Sequence, residues 1–322
     1  MNDFAKKLAA LSPEQRMIFE KRRQQKKLNK VRAQEISKIE IPQRKNSEEI
    51  PLSFAQQRLW FFQQLNPDNS AYNISNALRL EGQLNIPLLE KVFTEIIRRH
   101  ESLRTTFTTN SQGNPIQVIT PTQPFKLSLE DLTHISNRDE VLKKLALKEA
   151  QKPFDFTQNL LRITLFKLAD KDYLLLITVH HIISDRWSMG IFVREMKSLY
   201  EAFSNQEISD DKSQQISLPK LPIQYADWAV WQQQYLQKEV LENQKNYWKK
   251  QLANLPFLRL PTDRPRPSIA TYKGARQSFK LSQDLSDSLK SLSRQKETTL
   301  FTLLLAVFKV LLYKYTNQDD IV

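Results

Sequence analysis

Two adjacent histidines and an aspartate form the combination in this sequence that is best suited to chemistry. His180 and His181 stand in the stretch VHHIISDRWSMG, residues 179–190, and Asp185 follows four residues after His181. An imidazole titrates near neutrality, so it can take a proton from an attacking amine or hydroxyl. An aspartate in the following turn can orient such a histidine, or it can hold the loop by pairing with an arginine. The spacing favours general-base chemistry.

The elements around the histidines limit what they can do. DYLLLITVHH is typical of a strand and WSMGIFVREMKSLYEAFS of a helix, so the histidines lie where a strand gives way to a helix. Neighbouring strand residues point to opposite faces, so at most one histidine is expected to face a site. The pair is therefore a poor metal site, and no nearby carboxylates stand at ligand spacing. On spacing alone, a buried and hydrogen-bonded histidine pair fits as well as a catalytic site does.

The order of elements predicts a mixed α/β protein with three parts. Residues 1–50 form a basic helical leader and linker, with a capping-box start at SPEQ. Residues 51–255 mix helices with strands and end in one long aromatic helix. Residues 256–322 begin with a proline-rich extended crossover, followed by a strand, ARQSFKL, and two helices. The final TNQDDIV resembles the start of a strand, which suggests a fragment of a longer chain.

Charge and composition narrow the class of function. The net charge is +13 and the pI is near 9.7, but no aromatic residues alternate with the basic ones, which argues against a nucleic-acid binder. The chain has no cysteine, which excludes thiolate catalysis and fits a reducing, cytoplasmic compartment. The longest apolar stretch, residues 300–313, is too short to span a bilayer. No membrane association is expected.

Four motifs in this order resemble one family. They are SFAQQRLW (53–60), RHESLRTTF (99–107), HHIISD (180–185) and YADWAVW (225–231). Together they are similar to the core motifs of condensation domains in nonribosomal peptide synthetases. The resemblance implies the chloramphenicol-acetyltransferase-like fold, in which two α/β lobes form a V around a tunnel. On this view residues 51–255 are the N-terminal lobe, and residues 256–322 are the crossover and the start of an incomplete C-terminal lobe.

The resemblance also implies a reaction and its partners. An upstream carrier domain presents an acyl or peptidyl thioester on a phosphopantetheine arm, and a downstream carrier domain presents the acceptor amine. The amine attacks the thioester carbonyl, so the chain itself needs no metal and binds no cofactor. A neighbouring adenylation domain is a further expected partner. The stretches SFAQQRLWFFQQL (53–65) and AYNISNALRLEG (71–82) are closest to those of domains that join an L-configured donor to an L-configured acceptor.

Roles for single residues follow from the same resemblance. His181 is the expected catalytic histidine, acting as a base or positioning the amine, and His180 is its structural neighbour. Asp185 takes an architectural role, commonly paired with an arginine. The candidate partners of Asp185 are Arg58 and Arg104, with Arg276 as a weaker third.

One residue departs from the family pattern. Arg186 stands where the family usually has glycine, which permits a positive φ or the close approach of another chain. Arg186 either points to solvent and leaves the site intact, or it pairs with Asp185 or projects into the tunnel and obstructs the acceptor.

The alternatives are a catalytically impaired domain that docks carrier or tailoring proteins, an epimerisation domain, and a domain that transfers an acyl group to a free alcohol. A basic nucleic-acid binder is a further alternative, which has only the net charge in its favour. A cyclisation domain fits poorly, because it would carry aspartate in place of His180.

Overall fold

The computed structural model describes residues 40–45, 49–208, 218–268, 274–275 and 277–322. The chain divides into two compact units, with the boundary after Tyr235. The predicted helical leader over residues 1–30 lies outside the described residues, as does Arg276. The boundary falls before the predicted one at residue 255, so the helix that follows Tyr235 belongs to the second unit.

A four-stranded sheet forms the centre of the first unit, in the order β2-β7-β6-β5. Strand β2 (Asn73–Glu81) pairs antiparallel with β7 (Asp172–His180), which pairs antiparallel with β6 (Leu161–Ala169). Strand β5 (Ser128–Asp131) runs parallel to β6. Strand β2 ends at Gly82, whose φ of +112° suits glycine.

Both faces of the central strand β7 are covered, which explains its continuous apolar run LLLITV. Leu175, Ile177 and Val179 belong to the main core cluster, whereas Leu176 belongs to a second cluster with Phe166. The main cluster lies against three helices: α1 (Phe54–Leu65), α2 (Ile86–Arg99) and α4 (Arg186–Ile208). The second cluster lies under α3 (Arg138–Gln151).

The described part of the first unit also contains a three-stranded sheet and a further helix. Strands β1 (Ile50–Pro51), β4 (Pro115–Ile119) and β3 (Thr105–Thr109) pair in the order β1-β4-β3. Helix α5 (Tyr225–Tyr235) carries the last of the four motifs. Two of its aromatic rings stack, with 4.7 Å between the ring centroids of Trp231 and Tyr235.

The described residues of the second unit form three helices: α6 (Lys238–Gln251), α7 (Gln283–Gln295) and α8 (Leu300–Thr316). The single long aromatic helix expected up to residue 251 is therefore two helices, broken before Lys238, whose φ is +44°. The predicted strand ARQSFKL is also wrong for the described residues, which pair with no other strand there. Phe279 in that segment is 83% exposed, so nothing stabilises an extended pairing.

Helix α8 is hydrophobic, which raises the question of whether it could cross a membrane. In the part of the chain that the structure describes, no helix on its own is long and apolar enough to cross a bilayer. Helices α7 and α8 meet that criterion, by length and composition only, when taken together, and the chain bends by 107° between them.

Candidate active site

His180 is the last residue of β7 and its side chain points into the core. The residue is 2% exposed, and its ring meets Phe156 edge-on at 4.6 Å between ring centroids. Burial, with a smaller contribution from His181, lowers the pKa of His180 to about 4. The imidazole is therefore neutral at pH 7, and its Nδ1 accepts a hydrogen bond from the backbone N–H of Ile182 at 3.1 Å. His180 supports the loop from inside.

His181 lies on the opposite side and is exposed, as the alternation of strand side chains predicts. Its backbone N–H donates to the carbonyl of Tyr72 at 2.9 Å. Its Nδ1 lies 2.7 Å from the carbonyl oxygen of Ser184. A carbonyl oxygen can only accept, so Nδ1 carries the proton. In the neutral ring Nε2 is then unprotonated, and among the described residues it makes no hydrogen bond. This is the state that a general base requires.

Asp185 caps helix α4. Its carboxylate accepts hydrogen bonds from the backbone N–H of Ser188 at 2.7 Å and from the Ser188 hydroxyl at 2.6 Å. These bonds lower the pKa of Asp185, so the group is ionised at neutral pH. Because the cap fixes where α4 begins, it also fixes the length of the loop that carries His181.

The structure does not bring the candidate arginines to Asp185. Arg58 is exposed. Arg104 donates to the carbonyl of Thr120 at 2.6 Å and lies 3.8 Å from a carboxylate oxygen of Glu101. Within the described ranges no ion pair joins Asp185 to an arginine; Oδ1 of Asp185 accepts both hydrogen bonds from Ser188. The resemblance gives Asp185 an architectural role beside an arginine. In this structure Asp185 caps helix α4 instead.

Arg186 is the first residue of α4 and is exposed. The described non-glycine residues with positive φ do not include it, so arginine meets no backbone strain at this position. No ion pair between Arg186 and Asp185 is formed in the described chain. The backbone requirement that would call for glycine is absent here.

Gln56 is a site residue that the sequence-based reasoning missed. It is 2% exposed and lies in the capping box that starts α1. Its Nε2 donates to the carbonyl oxygen of Ile182, inside the loop, at 3.2 Å. The pattern S-x-x-Q at residues 53–56 signals a helix start, but it does not reveal a contact across 126 residues of sequence.

A partly buried ionic network joins the second and fourth motifs. Arg44 binds Asp227 at 2.7 Å and Glu101 at 2.8 Å. The second carboxylate oxygen of Asp227 accepts from the backbone N–H of Gln224 at 2.7 Å. Asp227 is 4% exposed, so loss of these partners would leave a buried carboxylate uncompensated. The network attaches α5 to the segment that precedes β3.

His100, to which the sequence assigns no chemistry, belongs to a neighbouring contact. Its Nε2 lies 2.7 Å from one carboxylate oxygen of Glu195 in α4, and Arg99 binds the other oxygen at 3.0 Å. A cavity of about 100 Å³ separates His100 from Ser184 and Ser188. Ligand pockets usually exceed about 300 Å³, so this space is a packing gap beside the loop.

Comparisons with known proteins agree on one family. The family model described as "Condensation domain" matches residues 46–322. A linear gramicidin synthase protein of Brevibacillus parabrevis is 45% identical over 290 residues, which cover 89% of this chain and 6% of that protein.

Two solved structures give the fold. The X-domain in its complex with OxyB from teicoplanin biosynthesis is 27% identical with a TM-score of 0.71, covering 86% of this chain and 59% of that one. The first condensation domain of the calcium-dependent antibiotic synthetase is 20% identical with a TM-score of 0.67, covering 85% and 63% respectively. The predicted chloramphenicol-acetyltransferase-like fold class is confirmed. The chain spans less than two thirds of each of these three proteins.

Removing the cap should destabilise the first unit in a pH-dependent way. We expect Asp185→Ala to lower the free energy of unfolding by about 1 kcal/mol at neutral pH. The folded-state pKa is lowered, so the carboxylate's contribution is present above its unfolded value of about 3.9 and is lost as the pH falls through the folded value. The difference from wild type should therefore shrink below about pH 4. Urea unfolding across this pH range measures it.

Asn85→Ala is the matched control for this experiment. Asn85 caps α2 with a neutral side chain that accepts from the backbone N–H of Leu88 at 3.0 Å. Its loss should cost a similar free energy at every pH. A pH-independent loss in Asp185→Ala would contradict the charged cap.

Proposed function

The chain belongs to the condensation domain family, and on that premise we propose that it forms an amide bond between two carrier-bound substrates. The donor is an acyl or peptidyl thioester and the acceptor is the amine of an aminoacyl group. Each is held on the phosphopantetheine arm of a carrier domain. The observation that carries the proposal is the exposed His181 ring, whose Nδ1–H donates to Ser184 and leaves Nε2 free to accept a proton.

The proposed chemistry needs one base. The amine nitrogen attacks the thioester carbonyl, and the carbon–sulfur bond breaks after the tetrahedral intermediate forms. Nε2 of His181 accepts the proton that the amine loses, or holds the amine by a hydrogen bond. The departing thiolate takes up a proton. Because the acceptor amine is the attacking group, the proposed reaction uses no protein nucleophile and no metal.

Most of the acceleration in this proposal comes from holding the two tethered substrates together. Orientation of two reactants can lower a barrier by about 7–11 kcal/mol. A single general base contributes roughly a hundred- to ten-thousand-fold. An L-configured donor and acceptor, an adjoining adenylation domain and a cytoplasmic location are parts of the same proposal. The first two are supported by the resemblance to such domains, and the location is supported by the absence of cysteine.

A second candidate function has an observation in its favour. The X-domain to which the chain is 27% identical is described in complex with OxyB, and Arg186 stands at the position where the family usually has glycine. A condensation-like domain that docks a tailoring protein, without catalysing, accounts for both. Two features support the enzyme rather than this candidate. Nε2 of His181 is free to accept a proton, and Arg186 is exposed without backbone strain.

Loss of the base should separate the two candidates. We expect His181→Ala to lower the single-turnover rate of amide formation by roughly a hundred- to ten-thousand-fold, while the loaded carriers still bind. The rate is measured with the intact protein and with donor and acceptor carriers loaded separately. His134→Ala is the control, because His134 is exposed and outside the site. Unchanged product after His181→Ala would show that the histidine is not chemical.

Arg186→Gly tests the departure from the family pattern. Because Arg186 is exposed and unstrained, we expect the rate of amide formation to stay unchanged. The free energy of unfolding should fall by up to about 1 kcal/mol, because glycine is a poor helix residue. A large gain in rate would show that Arg186 restrains the site, and it would favour the docking candidate.

A further inference from the structure

We propose that Gln56 is a positioning residue that holds the His181 loop in its working geometry. This inference rests on the proposed function of His181 as the base. Gln56 does not touch the imidazole; it acts through the carbonyl of Ile182, the residue directly after His181. It connects the loop to two separate elements of the first unit.

The Gln56 amide uses every donor that it has. Its two N–H groups donate to the carbonyl of Ile182 and to Oε1 of Gln117, each at 3.2 Å. Its Oε1 accepts from the backbone N–H of Ser53 at 3.0 Å. Gln117, in turn, donates to the carbonyl of Pro51 at 2.8 Å. The side chain thus ties the loop both to the first turn of α1 and to strand β4.

Burial makes these bonds specific to glutamine. Gln56 is 2% exposed, Gln117 5% and Ile182 3%, so water cannot replace a lost donor without opening the structure. A buried carbonyl left without its donor favours a different backbone arrangement. The residue that would move is Ile182, whose neighbour His181 depends on the same turn for its bond to Ser184.

Gln56 and the strand hold the loop from different sides. On the strand side, the backbone N–H of His181 donates to Tyr72, and that of Ile182 donates to Nδ1 of His180. Among the described residues the carbonyl of Ile182 accepts a hydrogen bond from Gln56 alone. Loss of this bond should therefore let the loop shift while the strand stays in place. A shift of about 1 Å in a catalytic group can cost about a hundredfold in rate.

Two substitutions of Gln56 and one control make the test. Gln56→Met keeps the volume and removes every polar atom. Gln56→Glu keeps the shape but places a carboxylate against two oxygens. Gln63→Met is the matched control, since Gln63 lies on the same helix, is 8% exposed and donates to two carbonyls, those of Pro67 and Phe154.

The first measurement is hydrogen exchange at the backbone N–H groups of residues 181–183 in the folded protein. We expect Gln56→Met to speed exchange there by about tenfold or more relative to Gln63→Met, because the loop opens locally. In Gln56→Glu, protonation restores one donor, and burial raises the pKa of such a carboxyl. Protection, corrected for intrinsic exchange, should therefore recover as the pH is lowered, whereas that of Gln56→Met should not.

The second measurement is the kinetics of amide formation. We expect Gln56→Met to lower kcat by roughly ten- to a hundredfold with KM for the loaded carriers unchanged, and Gln63→Met to change neither. Loop exchange and kcat equal to those of Gln63→Met would overturn the inference. If the wild-type protein forms no amide, the proposed function fails, and loop exchange alone still decides whether Gln56 holds the loop.

Discussion

The buried imidazole of His180 is the constraint on which the site depends. It stays neutral because the core removes water from it, and burial holds its pKa at about 4. Since adjacent strand residues face opposite ways, placing His180 in the core turns His181 outward. The two histidines therefore have opposite environments and different hydrogen-bond partners, although they are neighbours in the chain. If His180 also pointed outward, the end of β7 would lose the buried side chain that holds it in the core.

Three contacts fix the path of the loop after His180. Nδ1 of His181 donates to the carbonyl of Ser184, the carboxylate of Asp185 caps α4, and Gln56 holds the carbonyl of Ile182. The first two contacts lie within the loop and the first turn of α4, and the third comes from the buried side chain of Gln56. The ionic network around Arg44 and Asp227 plays a comparable part elsewhere, because it attaches α5 to the segment before β3. Hydrogen bonds and ion pairs to backbone and side-chain groups thus position both the His181 loop and α5.

The sequence predicts strand β7 and helix α4, because the apolar run of the strand and the helical pattern that follows Asp185 each depend on a few neighbouring residues. The opposite orientations of His180 and His181 also follow from strand geometry. The chemistry assigned to His181 and the fold class come from the resemblance of four motifs, and only the fold class is confirmed.

Contacts between distant segments are not readable in the same way. The partner of Asp185 is Ser188, three residues along the chain, whereas Arg104 contacts Thr120 and Glu101 instead. The bond from Gln56 to Ile182 depends on how α1 packs against the end of β7. The segment 277–281 shows the opposite error, because its strand-like pattern pairs with no strand among the described residues.

The protonation of the two imidazoles tests the account most directly. Nitrogen NMR of the histidine-labelled protein distinguishes the two neutral tautomers, with single His→Gln variants to assign the signals. At about pH 8, where an ordinary imidazole is neutral, we expect the Nδ1–H tautomer for His181 and the Nε2–H tautomer for His180. On lowering the pH, His180 should stay neutral until about pH 4. An Nε2–H tautomer at His181, or a His180 that titrates near its ordinary value of about 6.5, would contradict the account.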